Sequence, residues 1–274
     1  MLDGLTPSVK YIRDRSGRVA CFSRNEARTV RKQVRRYFAA PLVLPDEPVI
    51  VDAGAHVGMF CREVMRRVPR ATVYAFEPSP LTFALLTMNT YRFGEHVQRV
   101  NLGLCDRACT KAFWHYPHTL SLSGIQAPGD VRPHTEAVYE MLSMRGSDYY
   151  RFRALRLLPR VLVLRLLDVF VRHYVKASET HARFITLSDA IDRHVIPRID
   201  LLKIDVERSE MELLAGIRAE HWPLVRNVVM EIHDRNGQTD EIEAILRRHG
   251  FTEISTQLDS VAPDEQVFLL HAAR

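Results

Sequence analysis

The sequence predicts a doubly wound α/β fold built on a mostly parallel, Rossmann-like sheet. Two observations lead to this prediction. Short apolar runs typical of buried strands alternate with helical segments over residues 48–116 and again from residue 182. The last two strand-like stretches, FTEISTQL and QVFLLHA, lie close together and are expected to form an antiparallel hairpin at the end of the sheet.

The part of the chain before this alternation has a different composition. Residues 11–22 predict a weak β-hairpin, and residues 24–39 predict a basic helix. Three prolines follow and indicate a linker. We therefore expect a basic N-terminal extension over residues 1–47, followed by one domain over residues 48–274.

The elements of this domain follow in order along the chain. The predicted strands before the final hairpin are PVIVDAG, ATVYAFEP, HVQRVNLGL, KAFWHY, RFITL, IDLLKIDVE and NVVMEIHD. The predicted helices are residues 57–68, residues 79–90 capped by Ser79, a short helix capped by Ser188, residues 209–218, and residues 239–249 closed by Gly250. The alternation breaks between KAFWHY and RFITL, where residues 128–180 are expected to form a helical lid insertion.

Length and composition indicate one globular domain with appendages. The chain has 274 residues, of which 46% are hydrophobic and 26% are charged. It begins without the apolar segment of a signal peptide, and no uncharged apolar run has the length of a membrane span. The four cysteines lack the spacing of zinc sites and the density of a disulfide scaffold. A cytoplasmic protein with free thiols is therefore expected.

The net charge of +5 is distributed unevenly. Residues 1–45 carry ten Lys/Arg against three Asp/Glu, and residues 132–176 carry nine against four, so the rest of the chain is net acidic. Basic segments on an acidic body indicate an anionic partner. We expect an acidic carrier protein or an anionic surface, and an oligomer interface is the other use of these segments that we consider.

The stretch VIVDAGAHVGMF joins a buried strand to a helix, and ligands of doubly wound folds bind at such turns. Gly54 and Gly58 allow a tight turn, and Asp52 can accept a hydrogen bond from an ammonium group. Glu77 ends the next strand and can accept both hydroxyls of a ribose. Because position 56 is His56, where a dinucleotide loop needs Gly, S-adenosylmethionine fits better than a dinucleotide. A purely structural turn is the alternative.

Four segments in order, VIVDAGAHVG, VYAFEPSP, LLKIDVERSEMELLAGI and VVMEIHD, resemble the FkbM-type methyltransferases. The resemblance covers residues 48–116 and 182–271. It implies a class I methyltransferase fold with its terminal antiparallel hairpin, and S-adenosylmethionine as the cofactor. It also implies methyl transfer to a hydroxyl, which in most of the family belongs to a sugar or a polyketide.

The resemblance assigns roles to individual residues. The cofactor-binding residues that it implies are Asp52, Gly54, His56, Gly58, Glu77 and Asp106. Asp106 would contact the adenine amine. His56 replaces the usual Asn and can still donate a hydrogen bond. Arg208 replaces a Gly of the family pattern, and Arg adopts positive φ less readily, so either the turn differs or Arg208 points into the substrate site.

Charged side chains follow the last parallel strands of the predicted sheet. Lys203, Asp205 and Glu207 alternate along one strand, and Glu231 and His233 along the next, so they are expected to converge. His233 has an ordinary pKa suited to a general base. Glu231 and Glu207 are the alternatives if burial raises their pKa values, and Asp205 is expected to face the methionine moiety.

Other interpretations of this edge stay open. In one of them, Lys203 and Asp205 form a structural ion pair and take no part in the chemistry. A divalent metal ion held by Asp205, Glu231 and His233 is considered but not favoured. His115 is a further substrate-side candidate, with a solvated surface residue as its alternative.

The basic segment 149–175 has too many arginines for a membrane span. Its apolar residues fit one helical stripe, and these residues are Leu158, Leu162, Leu166 and Val169. We expect a lid helix that buries this stripe and leaves the arginines in solvent.

We conclude from the sequence that the chain is an S-adenosylmethionine-dependent O-methyltransferase. Its expected acceptor is a carbohydrate or a polyketide or peptide natural product. One alternative is an RNA methyltransferase that grips phosphates with the basic segments, although the [DN]PP[FY] element typical of base methylation is absent from the sequence. The other alternative is a non-catalytic binding module with the same fold.

Overall fold

The structure is a computed structural model that describes residues 8–38, 43–116, 123–125, 135, 139, 158–174, 177–234, 236–262 and 265–274. Its strands are β1 (Lys10–Asp14), β2 (Gly17–Cys21), β3 (Val49–Ala53), β4 (Thr72–Phe76), β5 (Val97–Val100), β6 (Gly103–Leu104), β7 (Cys109–His115), β8 (Ser178–Ile185), β9 (Leu201–Ile204), β10 (Asn227–Asp234), β11 (Glu253–Ala262) and β12 (Glu265–Ala273). Its α-helices are α1 (Arg24–Arg36), α2 (Met59–Arg67), α3 (Pro80–Thr90), α4 (Arg160–Tyr174), α5 (Leu187–His194), α6 (Glu210–Ala215) and α7 (Gln238–Arg248).

A seven-stranded sheet in the order β11-β12-β10-β9-β3-β4-β5 forms the centre of the fold. Strands β5, β4, β3, β9 and β10 are parallel, and β12 runs antiparallel to both β10 and β11. Every residue of β3 and β9 is buried, because apolar clusters cover both faces of the sheet. The predicted parallel sheet with a terminal antiparallel hairpin is confirmed.

Two predicted strands do not join this sheet. KAFWHY lies in β7 and RFITL begins in β8, and these strands pair antiparallel from Cys109 opposite Phe184 to His115 opposite Ser178. Strand β6 adds to β8 in parallel. The result is a separate three-stranded sheet, because β7 finds its partner in β8.

The prediction that Ser188 caps α5 is wrong. Thr186 is the N-cap, and its hydroxyl accepts from the Asp189 N–H at 2.9 Å. The Asp189 carboxylate accepts from the Thr186 N–H in return, which makes a capping box. The Ser188 hydroxyl instead accepts from the N–H of Arg218. In contrast, the Ser79 cap of α3, with Pro80 at the first position, is as predicted.

The N-terminal hairpin and α1 share a hydrophobic core with the central sheet. Asn89 binds the hairpin through both backbone polar groups of Ala20, at 2.7 and 2.9 Å. Arg62, whose side chain is 3% exposed, binds Asp14 in two hydrogen bonds of 2.7 and 2.8 Å. These buried polar contacts fix residues 8–38 against the rest of the domain.

Most of the predicted lid segment 128–180 lies outside the described residues. Within the described part, α4 buries Val163 and Leu167. The predicted stripe is wrong, since its residues are 39–71% exposed, and these are Leu158, Leu162, Leu166 and Val169. An apolar helix offers more than one stripe, and the contacts of the fold decide which one is buried. None of the described helices is both long enough and apolar enough to cross a membrane.

Candidate functional site

The candidate site lies at the carboxyl edge of the central sheet. The chain crosses from β3 to β4 on one side and places β9 on the other, so the order of connections reverses between β3 and β9. Open α/β sheets bind ligands at this kind of switch point. Here the strand ends bring together Asp52, Glu77, Asp205 and Glu231.

The loop after β3 turns tightly over the end of β4. The N–H groups of Gly54 and Ala55 both donate to the carbonyl of Phe76, at 3.1 and 2.9 Å. Gly54 has a φ of 77°, and a Cβ at this position would stand 1.8 Å from the Asp205 carbonyl oxygen. Gly54 is therefore required both by its conformation and by the closeness of Asp205.

Glu77 is 6% exposed, and its carboxylate is held by two backbone N–H groups. Ser79 donates to Oε1 and His56 donates to Oε2, each at 2.9 Å. Burial raises the pKa of Glu77 to about 7, although both N–H groups favour the charged form. Each carboxylate oxygen has a second lone pair, so a diol can still bind.

His56 lies in the same loop with a φ of 50°. Both ring nitrogens are buried, and neither has a hydrogen-bond partner among the described residues. Burial lowers the pKa of His56 to about 4, so the ring is neutral. A neutral imidazole offers one donor and one acceptor, and both are available to a ligand.

Asp52 and Lys203 stand opposite each other in the parallel register of β3 and β9. Lys203 Nζ lies 3.0 Å from Asp52 Oδ1, and both side chains are buried. The ammonium also donates to the Gly54 carbonyl at 2.7 Å and lies 3.5 Å from Asp205. Burial opposes its charge, but Asp52 and Asp205 outweigh that effect and raise the pKa of Lys203. Lys203 therefore fixes the loop and the strand ends.

Tyr37, which follows α1, reaches the same edge from the N-terminal segment. Its hydroxyl lies 3.0 Å from Asp205 Oδ2 and 3.2 Å from Glu231 Oε2, and its side chain is buried. Burial and these two carboxylates raise the pKa of Tyr37, so the phenol keeps its proton. Gln33, one turn earlier, donates to the same oxygen of Glu231. The sequence offered no local signal for Tyr37 or Gln33.

Three carboxylates surround His233. Its Nδ1 binds Glu210 Oε1 at 2.9 Å, and its Nε2 lies 3.3 Å from Glu207 Oε2 and 3.8 Å from Glu231 Oε1. Burial would lower the pKa of His233, but the Glu210 hydrogen bond and the other carboxylates raise it to about 10. The ring is then a cation at neutral pH, which corrects the expectation that its ordinary pKa suits a base.

Glu210 is a residue that the sequence prediction missed. It begins α6, its side chain is 1% exposed, and it also accepts from the Arg208 N–H at 3.0 Å. The sequence shows only that Glu210 stands in the first turn of a predicted helix, where the helix dipole favours an acidic residue, and this does not point to His233. Glu210 both orients His233 and tightens the turn before α6.

The turn after β9 differs from the predicted strand. Strand β9 ends at Ile204, and Glu207 and Arg208 have positive φ values of 47° and 70°. The alternation argument therefore fails at Glu207, which reaches His233 through the turn. Arg208 keeps the left-handed backbone conformation that suits Gly. The backbone strain of a non-glycine residue in this conformation is about 1–3 kcal/mol, and both Glu207 and Arg208 carry it.

Two other predicted residues, Asp106 and His115, belong to the part of the chain that forms the separate three-stranded sheet. Asp106 follows β6, and its carboxylate lies 3.1 Å from Arg107 and 4.0 Å from Lys111. His115 ends β7 and is 2% exposed, so the surface interpretation is wrong. Burial lowers the pKa of His115 to about 4, and its ring nitrogens have no hydrogen-bond partner in the described part of the chain.

The pKa values of two carboxylates at this edge, Glu231 and Glu207, are raised. Burial and the neighbouring Asp205 raise the pKa of Glu231 to about 7, while the hydrogen bonds from Gln33 and Tyr37 oppose the shift. Burial also raises the pKa of Glu207. In the described residues, no group of three His, Cys, Asp or Glu side chains is arranged to hold a metal ion.

The sequence matches the methyltransferase FkbM domain over residues 52–253, which is most of the chain. The chain belongs to the FkbM methyltransferase family. The match begins at Asp52 and includes the loop after β3, Glu77 and the polar edge of β9 and β10. The resemblance seen in four short segments is thus confirmed as family membership, and the central sheet is the class I methyltransferase sheet.

Curated relatives of this FkbM domain differ in length. The 31-O-demethyl-FK506 methyltransferase FkbM of Streptomyces tacrolimicus is 31% identical, with 87% of each chain covered. Methyltransferase sdnD of Sordaria araneosa is 33% identical, with 81% of this chain and 80% of that protein covered. The AMB antimetabolite synthetase AmbE of Pseudomonas aeruginosa is 31% identical over 94% of this chain, which spans only 12% of that protein.

Solved structures are more distant. A methyltransferase FkbM from Methylobacillus flagellatus has a TM-score of 0.48 and 14% identity, with 85% of this chain and 45% of that chain covered. A magnesium protoporphyrin IX methyltransferase from Synechocystis has a TM-score of 0.42 and 12% identity, with 92% and 84% covered. Membership of the FkbM family therefore rests on the sequence match.

Proposed function

We propose that this FkbM domain is an S-adenosylmethionine-dependent O-methyltransferase in which Glu231 accepts the proton of the acceptor hydroxyl. One observation carries the proposal. Glu231 stands at the sheet edge with a raised pKa, beside the protonated His233, on the same edge as the loop held by Glu77. A proton acceptor and a loop suited to bind the nucleoside part of a cofactor lie on one edge of the sheet, and this combination suits methyl transfer to a hydroxyl.

The residues of the loop fit S-adenosylmethionine. The free lone pairs of Glu77 suit the two ribose hydroxyls, and the unpartnered ring nitrogens of His56 suit further polar groups of the ligand. Asp205 is the carboxylate that we assign to the amino group of the methionine end, because its side chain is 19% exposed whereas that of Asp52 is fully buried against Lys203. When bound, the cofactor supplies a methyl group activated by a sulfonium.

Glu231 has one oxygen free for the acceptor. Tyr37 and Gln33 both bind Oε2, and Oε1 lies 3.8 Å from His233 Nε2, beyond a hydrogen bond. Oε1 can therefore accept the proton from the hydroxyl as the new oxygen–carbon bond forms. With a pKa of about 7, Glu231 is partly ionised at neutral pH and remains basic enough to take a proton.

His233 and Tyr37 act through Glu231 as positioning residues. The imidazolium of His233 offsets carboxylate charge at this edge, since Glu207, Glu210 and Glu231 all lie within 4 Å of its ring. Tyr37 fixes the orientation of Glu231 and excludes water from one side of it. Since Tyr37 belongs to the N-terminal segment, residues 8–38 form part of the proposed active site.

A natural-product hydroxyl is the acceptor class that we propose. One relative covered along 87% of its length is named for methylating 31-O-demethyl-FK506, and another is part of an antimetabolite synthetase. The polar lining of Glu207, Glu231 and His233 suits an acceptor with several hydroxyls. Because this chain spans 12% of AmbE, any role in a larger synthetase is likewise a proposal.

The test uses the purified chain, labelled S-adenosylmethionine and acceptors that offer a hydroxyl, an amine, a thiol or a carboxylate. We expect the product to be a methyl ether, which survives alkaline hydrolysis, whereas a methyl ester does not. Glu231→Gln should lower kcat by about 10²–10⁴-fold and leave S-adenosylmethionine affinity unchanged. Transfer only to an amine or a carboxylate, or an unchanged kcat in Glu231→Gln, would overturn the proposal. Glu207→Gln is the companion variant, and a larger loss there would make Glu207 the proton acceptor.

A further inference from the structure

A cleft of about 520 Å³ lies on the N-terminal segment, between the β1–β2 hairpin and α1. Its lining residues are Tyr11, Ile12, Arg13, Arg18, Arg24, Arg28 and Arg31. The cleft is therefore lined by five arginines and by no carboxylate. Its volume falls in the range of small-molecule sites.

These arginines are not neutralised by the protein. Among the described residues, none of the five forms an ion pair with an Asp or Glu. Guanidinium groups that line one cleft repel each other, and an anion between them would remove that repulsion. The cleft therefore presents a concentrated positive charge to an anionic ligand.

A neighbouring groove shows the contrast. It is about 220 Å³ in volume, shares Arg31 with the first cleft and is lined by further arginines. There, Glu63 binds Arg66 at 2.6 Å and Arg67 at 2.8 Å. Two arginines of this groove thus have a carboxylate partner, whereas none of the five arginines of the first cleft has one among the described residues.

Two contacts pre-organise the arginine cleft. The guanidinium of Arg18 stacks over the ring of Tyr11, with 4.1 Å from its carbon to the ring centroid. Arg31 donates to the backbone carbonyl of Arg13 at 2.9 Å. Arginines held in this way lose less freedom when they bind an anion, and the planar guanidinium matches the two oxygens of a phosphate.

We propose that this arginine cleft binds a small molecule that carries a diphosphate. Five guanidinium groups provide more donors than a single phosphate can use, whereas a diphosphate can contact several of them at once. Tyr11 is 39% exposed, so the part of its ring that Arg18 leaves uncovered can contact the organic part of the ligand. The site lies on the N-terminal segment and is separate from the groups proposed for methyl transfer.

Calorimetry on the whole chain at low ionic strength tests this proposal, with inorganic pyrophosphate as the probe and orthophosphate as the comparison. We expect pyrophosphate to bind at least about tenfold more tightly than orthophosphate. The double variant Arg24→Gln/Arg28→Gln should weaken pyrophosphate binding by about tenfold or more, since each removed charge takes charge-assisted hydrogen bonds with it.

The matched control is Arg66→Gln/Arg67→Gln, which removes the same charge from the paired groove and should leave pyrophosphate affinity within about twofold. Equal losses in both double variants would show a general charge effect and overturn the site. Binding of pyrophosphate no tighter than that of orthophosphate would also overturn it. A nucleoside diphosphate and vesicles with a lipid diphosphate then distinguish the source of the ligand. A short RNA that displaces pyrophosphate and binds more tightly than either would assign the cleft to a polymer instead.

Discussion

The hydroxyl of Tyr37 lies 3.2 Å from Oε2 of Glu231, although 194 residues separate the two in the sequence. The same hydroxyl lies 3.0 Å from Asp205 Oδ2, and a phenol has one proton to donate. Tyr37 can therefore donate a hydrogen bond to Asp205 or to Glu231, but not to both at once. The N-terminal segment thereby influences the ionisation of the proposed proton acceptor.

Tyr37→Phe should raise the pKa of Glu231, because it removes a hydrogen bond that favours the carboxylate. We expect the rate of methyl transfer at neutral pH to fall by about tenfold and the ascending limb of the pH–rate profile to move to higher pH. Affinity for S-adenosylmethionine should not change. Tyr91→Phe, at a residue that is 78% exposed, is the control. A uniform loss of rate with no movement of the limb would reduce Tyr37 to a packing role.

Glu77→Ala should weaken S-adenosylmethionine binding by about 2–4 kcal/mol, since two ribose hydrogen bonds to a charged acceptor are lost. Titration calorimetry measures the affinity, and thermal unfolding checks the fold, because the N–H groups of His56 and Ser79 also lose their partner. Glu95→Ala removes an exposed carboxylate and should change neither quantity. A folded Glu77→Ala protein with unchanged affinity would remove Glu77 from the cofactor site.

Asp52→Asn should lower the free energy of unfolding by about 3–5 kcal/mol, because it takes from the buried Lys203 ammonium the nearer of its two carboxylate partners. The double variant Asp52→Asn/Lys203→Met removes both charges and should recover part of this loss. Denaturant titration measures both. If Asp52→Asn unfolds like the parent protein but loses S-adenosylmethionine affinity, Asp52 contacts the ligand directly, as the sequence prediction had it.

His233 should remain protonated in the folded protein at about pH 8. Its pKa of about 10 lies above the ordinary value of 6.5, so its stabilising contribution is complete below pH 6.5 and is lost as the pH rises through about 10. Proton–nitrogen correlation spectra of the histidine rings should show one ring with both nitrogens protonated. His233→Gln should remove that signal, and His181→Gln, at an exposed ring, should keep it. A neutral His233 at this pH would return it to the list of candidate bases.

The insertion is expected to select the acceptor without building the cofactor loop. We propose that residues 128–180 act as a lid, so that replacement of residues 130–176 by a Gly/Ser linker leaves S-adenosylmethionine affinity within a few-fold and abolishes methyl transfer. Calorimetry and the transfer assay separate the two effects. Transfer at the original rate would instead assign the segment to docking. Failure to fold would show that the segment belongs to the core, through residues such as Val163 and Leu167.

The sequence by itself determined the parallel sheet, the closing hairpin, the turn at Gly54 and Gly58, and the convergence of Asp205, Glu231 and His233. Period-two and helical patterns and glycine positions are local properties, and parallel strands end at one edge, so these features can be read without coordinates. The family match over residues 52–253 agrees with that reading.

Only the tertiary structure decided what the residues at this edge do. The charge of His233 depends on Glu207, Glu210 and Glu231 together, and these come from two separate parts of the chain, the turn into α6 and strand β10. Electrostatic shifts add over all neighbours in space, so an ordinary pKa assigned from the sequence could not anticipate an imidazolium. In the same way, no local pattern shows that Tyr37 packs on Glu231. Such contacts follow from how α1 docks on the sheet, and docking is a property of the whole fold.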